Sequence, residues 1–217
     1  MNNLSNLPKD LQENGLFCVW KYENRDGQAK KTKVPYQTDG RRAKSNDRHS
    51  FCDYATALTA LPRYDGMGLG IFNGFSAIDI DHCIDVSDNL SGLAQDIVDI
   101  FDGCYMEKSP SGCGLRILFR TSDFRYDNER YYINNSKLGL EVYVSGVTSK
   151  FVTVTGNVYR QGTVKDASRN LQILLDRYMR RPAASTPTLP NPHSYLSDEQ
   201  VIQMASHAKN ADEFLAL

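Results

Sequence analysis

The chain has 217 residues, 41% hydrophobic and 10% aromatic, with a formal net charge of −1. That is enough apolar material for one substantial core plus an appendage, and the near-neutral balance argues on its face against a nucleic-acid partner. No apolar run approaches the roughly 18 residues needed to span a bilayer, and the N-terminus MNNLSNLPKDLQ lacks the basic and apolar regions of a signal peptide; no membrane association is expected, and the expected location is the cytoplasm.

In chain order, 16-LFCVWKY-22 reads as a strand and 29-AKKTKVPY-36 as a short basic strand leading into the polar loop 37-QTDGRRAKSND-47. Ser50 is the expected start of a helix, because 50-SFCD-53 has capping spacing and Tyr54, Ala57, Leu58 and Leu61 follow at helical intervals. The segments 68-GLGIF-72 and 75-FSAIDID-81 flank Asn73-Gly74, a strong hairpin signal, and are expected to pair. A second helix, from about Leu90 to Phe101, turns Leu93, Ile97, Ile100 and Phe101 inward. Further strands are expected at 104-CYMEK-108, 115-LRILFR-120, 139-GLEVYVS-145 and 151-FVTVTG-156, and a closing helix at 166-DASRNLQILLDRYM-179.

Beyond residue 179 the composition changes: four of the eight prolines fall in 182-PAASTPTLPNP-192, which reads as a linker. The expected organisation is a compact domain over 1–179, a linker over 180–196, and a helical segment from 197 opening with a capping box, 197-SDEQ-200. Because the pattern is still helical at Leu217, that segment reads as the start of a further C-terminal region. The five cysteines are widely spread, odd in number and without a Cys-x-x-Cys pair, so they read as ordinary thiols, neither a disulfide framework nor a zinc site.

Charge is unevenly placed. Between Lys21 and Ser50 there are nine Lys/Arg against four Asp/Glu, whereas Asp79 to Glu107 holds eight acids and no Lys/Arg. Such blocks suit a phosphate-binding wall and a metal-binding one, or simply two differently charged solvated surfaces. Within the acidic block, Asp79 and Asp81 alternate with Ile78 and Ile80, so on a strand they share one face about 7 Å apart. Two hard oxygen donors on a rigid strand suit Mg²⁺ or Mn²⁺, although Asp-x-Asp alone also occurs on ordinary solvated sheet faces. Glu141 alternates in the same way with Leu140 and Val142, offering a third carboxylate if its strand lies beside that of Asp79. His82 points to the opposite face by the same alternation and reads as packing or support. The loop 109-SPSGCGLR-116 has a Ser-Gly-x-Gly core able to aim backbone N–H groups at an anion, with Arg116 beginning the next strand as a phosphate grip or a surface ion-pair partner.

Taken as an ordered set, 31-KTKVPY-36, 78-IDIDHCID-85, 107-EKSPSGCGLR-116 and 140-LEVYVSG-146 leading to 152-VTVTG-156 resemble the primase-polymerase branch of the archaeo-eukaryotic primase superfamily, and within it the phage and plasmid replication proteins that join such a domain to a helicase. The likeness runs from about Leu16 to Tyr178, and 197–217 resembles the segment preceding the helicase part, which would make this chain the N-terminal piece of a longer protein. The resemblance implies an α/β (α+β) fold with an RRM-like, mainly antiparallel catalytic sheet packed with helices and joined to an N-terminal αβ unit. It implies that Asp79, Asp81 and Glu141 are the catalytic metal ligands, and that Ser109, Ser111, Gly112, Gly114 and Arg116 receive the nucleotide phosphates. Many relatives carry histidine where Arg116 stands, and Ser-Gly-Arg where 145-SGVTSKF-151 offers Lys150.

The expected function is template-directed nucleotidyl transfer by a DNA primase, a DNA polymerase or both, using Mg²⁺ or Mn²⁺, NTP or dNTP, and single-stranded DNA, with a helicase region in the same full-length chain. Lys30, Lys31, Lys33, Arg41, Arg42 and Lys44 are expected along the template backbone, with Trp20, Tyr22 and Tyr36 as possible base-stacking rings or, for the lone Trp, core. Two alternatives stand beside this reading: a catalytically silent single-stranded nucleic-acid-binding module, and a metal-dependent nucleotide-sugar transferase.

Overall fold

The computed structural model describes residues 3–24, 31–182 and 197–207. The chain divides into two compact units, Met1–Arg181 and Pro182–Leu217. The first opens with a 3₁₀ turn, Leu4–Asn6, and α1 (Lys9–Asn14), followed by β1 (Phe17–Glu23), β2 (Thr32–Tyr36), α2 (Tyr54–Ala60), β3 (Gly66–Gly70), β4 (Phe75–Ile80) and α3 (Gly92–Ile100). Then come β5 (Tyr105–Lys108), β6 (Leu115–Arg120), β7 (Asn134–Asn135), β8 (Leu140–Tyr143), β9 (Phe151–Val154), β10 (Val158–Arg160) and α4 (Ser168–Tyr178). In the second unit, α5 (Asp198–Ser206) carries the expected capping box: the Ser197 hydroxyl accepts from the Gln200 N–H and the Gln200 side chain from the Ser197 N–H. Most of the expected linker, residues 183–196, lies outside the described residues.

The strands form two antiparallel sheets, β2-β1-β3-β9 and β10-β5-β6-β4-β8-β7, so the fold is mixed α/β with mainly antiparallel sheets. Alternation along β4, β6 and β8 explains the layering. Ile78, Ile80, Ile117, Phe119, Leu140 and Val142 point to one face and are buried against Ala94, Ile97 and Val98 of α3 and Leu171, Leu174 and Leu175 of α4. On the other face, Phe75, Ala77, Leu118 and Tyr143 are buried with Phe17, Met67, Leu69, Val152 and Val154 of the four-stranded sheet. Each such aliphatic or aromatic side chain contributes about 1.5–3 kcal/mol by leaving water, which explains why strands without local pairing signals still form.

The hairpin expected at Asn73-Gly74 does not form. Asn73 and Gly74 take the positive φ angles (55° and 79°) that the dipeptide favours, and the Phe75 N–H donates to the Phe72 carbonyl at 2.9 Å. Yet β3 pairs with β1 and β9, while β4 pairs with β6 and β8. The turn hands the chain from one sheet to the other, because each strand is paired on both edges with strands distant in sequence. The expected helix start also moves: Asp53, not Ser50, caps α2, its carboxylate accepting from the Thr56 N–H at 2.9 Å. Strand β4 ends at Ile80, so Asp81 and His82 sit in a turn. His82 is exposed with φ 51°, so its side chain is not buried on the opposite face of a strand.

All five cysteines are free thiols. Burial pushes Cys52, Cys83 and Cys104 up to about 11 and Cys18 higher still. Iodoacetamide at pH 8 is therefore expected to label Cys113, half-exposed on the loop before β6, at least roughly tenfold faster than the other four, which should react fully only after denaturation. Rapid labelling of two or more thiols in the folded chain would contradict this packing. Among the described residues no helix is long and apolar enough to cross a membrane.

Candidate active site

At one end of the face that β4, β6 and β8 turn toward the four-stranded sheet, the apolar row gives way to charge. The register places Glu107 opposite Arg116, Arg116 opposite Asp79, and Asp79 opposite Glu141. Directly opposed residues of antiparallel strands share a face, so four ionisable side chains from β5, β6, β4 and β8 stand in one row. The expectation that the Glu141 strand lies beside that of Asp79 is met. Two carboxylates in direct opposition are unfavourable unless a cation stands between or beside them.

Arg116 supplies part of that charge. Its guanidinium donates to Asp79 Oδ2 at 3.3 Å, and the pair is largely enclosed, with side-chain exposures of 4% and 14%. Burial pushes the Asp79 carboxyl up despite the opposing pull of Arg116. Glu141 is turned the other way: the Lys150 ammonium pairs with Oε1, and the Tyr143 hydroxyl donates to Oε2 at 2.7 Å. At the far end of the row, Glu107 is fully buried and accepts from the Thr155 and Gly156 N–H groups, each at 2.8 Å, and from the Tyr105 hydroxyl at 3.1 Å. Burial raises its pKa, opposed chiefly by those two amides. The sequence reading gave Glu107 no role, although its alternation with Met106 in a buried strand was the signal available.

Above the row lies a cleft of about 670 Å³ lined by Lys31 to Lys33, Asp79, Arg116, Glu141, Tyr143 and Lys150 to Thr153. Four cationic side chains line it against two carboxylates. Four buried side-chain polar atoms have no hydrogen-bond partner among the described residues: Asp79 Oδ1, Arg116 Nε and Nη1, and Thr153 Oγ1. All four belong to residues of this one cleft. Leaving a buried donor or acceptor unpaired costs about 1–3 kcal/mol, and more for a charged group, so this cleft concentrates donors and an acceptor that water or a polar ligand can satisfy.

The expected site residues separate on this map. Arg116 and Lys150 line the cleft, and so do Lys31 and Lys33, which the sequence placed on the template path. Ser109, Ser111, Gly112 and Gly114 do not. Their loop is closed on itself: the Ser109 N–H donates to the Gly114 carbonyl, the Gly112 N–H to the Ser109 carbonyl and the Gly114 N–H to the Ser109 hydroxyl. The expectation of a nest of free amides is thus corrected at these three positions, because the loop satisfies its own donors. Gly114 is needed for space, since a Cβ there would lie 2.9 Å from Ser109 Oγ and 3.0 Å from the Ile80 carbonyl oxygen, and Gly112 for its φ of 80°.

The remaining basic residues form a separate, solvated group. Arg41 pairs with Asp39 and Arg42 with Glu23, and with Lys44 and His49 they border a polar pocket of about 430 Å³. The Ser45 hydroxyl donates to the Ser149 carbonyl at 2.8 Å, holding this loop against the segment that carries Lys150. Lys30 lies outside the described residues. Trp20 is core, 2% exposed with its ring N–H donating to the Met67 carbonyl, so it is not a stacking platform; Tyr22 remains exposed.

Among the described residues no three His, Cys, Asp or Glu side chains lie close enough together to form a ready metal site. The three carboxylates do not converge as expected, because Arg116 draws Asp79 and Lys150 draws Glu141. The donor chemistry nevertheless fits a hard divalent ion. Asp79 Oδ1 is buried with no partner among the described residues, while Asp81, two residues on, is exposed in the turn after β4 and does not line the cleft. The chain matches no protein-family model, and no curated protein is significantly similar to it.

Proposed function

We propose that this chain is a template-directed nucleotidyltransferase of the primase-polymerase type, a DNA primase, a DNA polymerase or both, with an archaeo-eukaryotic primase fold. The observation that carries this reading is the cleft in which a largely enclosed carboxylate leaves one buried oxygen unpaired and a buried guanidinium two nitrogens, beside an excess of cations. A nucleoside triphosphate with its divalent ion presents the complementary pair of charges, and the ordered motifs of the sequence point the same way. Single-stranded DNA as template, NTP or dNTP as substrate, a helicase region in the full-length chain and a role in phage or plasmid replication belong to the same proposal.

In this reading Asp79 and Asp81, with Glu141, hold Mg²⁺ or Mn²⁺. Bound there, the ion supplies Lewis-acid polarisation of the α-phosphate and a lowered pKa for the attacking 3′-hydroxyl. Arg116 donates its free Nε and Nη1 hydrogens to phosphate oxygens, and Lys150 exchanges Glu141 for the same anion. The O3′–Pα bond forms, the bond from Pα to the bridging oxygen breaks, pyrophosphate leaves, and the hydroxyl proton passes to solvent. The basic loop with Arg41, Arg42 and Lys44 holds template phosphates without reading bases.

The test is incorporation of labelled dNTP and, separately, NTP on single-stranded DNA, with and without primer, in Mg²⁺ or Mn²⁺. Growth without primer makes the chain a primase as well. One observation favours the silent binding module: Asp79 is already paired with Arg116. That module predicts DNA binding with no incorporation, and a nucleotide-sugar transferase predicts turnover of a sugar nucleotide instead. Arg116→Lys keeps the charge but loses the fork, so it should raise the nucleotide KM roughly tenfold with DNA affinity unchanged. A fall in DNA affinity alone would move Arg116 to the template channel.

A further inference from the structure

Lys33 lies apart from the exposed basic loop of Arg41, Arg42 and Lys44 and lines the cleft of Arg116. It stands opposite Tyr22 in β1, on the same face as Trp20 and Cys18, and Cys18, Gly68 and Thr153 are in register across β1, β3 and β9. Lys33 and Thr153 therefore occupy one face of the four-stranded sheet, at its two opposite edges. Between them runs 66-GMGLG-70, whose glycines leave room for the Trp20 and Phe151 rings: a Cβ at Gly66 or Gly68 would come within 2.5 Å of them. The Lys33 ammonium crosses this surface, 5.7 Å from the Trp20 ring centroid, and reaches the cleft.

There it meets Arg116. Burial lowers the Lys33 pKa, and the positive charge of Arg116 lowers it further, while Asp79 and Asp81 pull the other way. No described residue forms an ion pair with Lys33. Two cations in a partly dry cleft, one with two free guanidinium N–H groups, and a buried Thr153 hydroxyl, 5% exposed and unpartnered, make a set of donors with nothing to donate to.

We infer that Lys33 and Thr153 complete, with Arg116, an anion site that takes the triphosphate of the incoming nucleotide, an assignment that rests on the function proposed above. The same chemistry would accept a DNA backbone phosphate, but the enclosure selects between them. Arg116 is 3% exposed, so a slender terminal phosphate chain reaches it more readily than the diester of a polymer flanked by sugars. Exposed cations such as Arg41 and Arg42 suit the diester. The phosphates would thus be gripped between strands of both sheets, with Lys33 and Thr153 lining the same cleft as Arg116, and not by the amides of the Ser109–Gly114 loop.

Titration of the 217-residue chain with inorganic tripolyphosphate in Mg²⁺ buffer by calorimetry, alongside fluorescence anisotropy with a labelled single-stranded oligonucleotide, separates the two sources. Lys33→Gln should weaken tripolyphosphate at least tenfold or so, Thr153→Val several-fold, and Lys33→Arg hardly at all, with oligonucleotide affinity within about twofold throughout. Loss of oligonucleotide affinity with tripolyphosphate unaffected would overturn the inference and return Lys33 to the template path. Failure of the wild type to bind tripolyphosphate would overturn it outright. If the wild type binds tripolyphosphate with this pattern yet incorporates no nucleotide, the anion site stands and the polymerase reading fails. Thermal melts of each variant identify any change that reflects unfolding, and Lys33→Arg supplies the charge-retaining control.

Discussion

Asp81→Ala is expected to lower metal-dependent nucleotide incorporation by at least about 10²-fold while leaving the melting temperature within about 2 °C of wild type. The small stability effect follows from its place beyond the end of β4, exposed in a turn. Asp79 calls for a different substitution. It is the ion-pair partner of a buried guanidinium, so Asp79→Ala would strand Arg116 and cost about 3–5 kcal/mol, confounding any loss of activity with loss of fold. Asp79→Asn keeps an acceptor for Arg116 and removes the charge a divalent ion requires; incorporation should fall as far as in Asp81→Ala. Retained incorporation in both variants, measured on folded protein, would remove the metal assignment.

Glu107→Ala is expected to destabilise the fold by about 3–5 kcal/mol, seen as a fall of roughly 10 °C in melting temperature. It removes the shared acceptor of the Thr155 and Gly156 amides and the Tyr105 hydroxyl, leaving two buried amides unpaired where β9 turns toward β10 and a buried hydroxyl unpaired on β5. Its pH dependence has a definite sign. Burial raises the folded-state pKa of Glu107 above its ordinary value near 4.3, so the folded chain holds that proton more tightly than the unfolded one. The corresponding stability is fully present below the unfolded pKa and is lost as pH rises through the folded pKa. Glu107→Gln lacks this titration, so its melting temperature relative to wild type should improve as pH is raised from about 4. A gap that stays constant would show that the amides offset burial, and one that moves the other way that they outweigh it.

Most strands were legible because their residues alternate or run apolar with turn residues between them: 115-LRILFR-120 is β6 to the residue. Asp79 and Glu141 were legible as strand-borne acids for the same reason, a charge at a position whose neighbours are core. What their alternation could not say was which way each carboxylate turns, because that depends on Arg116 and Lys150 arriving from other strands. The Ser109–Gly114 loop misled for a related reason: its glycines permit a nest, but the Ser109 hydroxyl and carbonyl take up the donors.

Local chemistry was enough to place the Asn73-Gly74 turn, the cap of α5, the layers of β4 and the isolation of the cysteines, since each depends on neighbours in sequence or on a two-residue period. Pairing across long sequence separations was decided only by the packed molecule. Strands β3 and β4 part at a good hairpin turn because each is paired on both edges with distant strands, and Lys33, indistinguishable in sequence from its basic neighbours, crosses Trp20 into the cleft of Arg116 and Asp79. The physical reason is that burial and register are properties of surfaces brought together by folding, which residue order limits but does not by itself reveal.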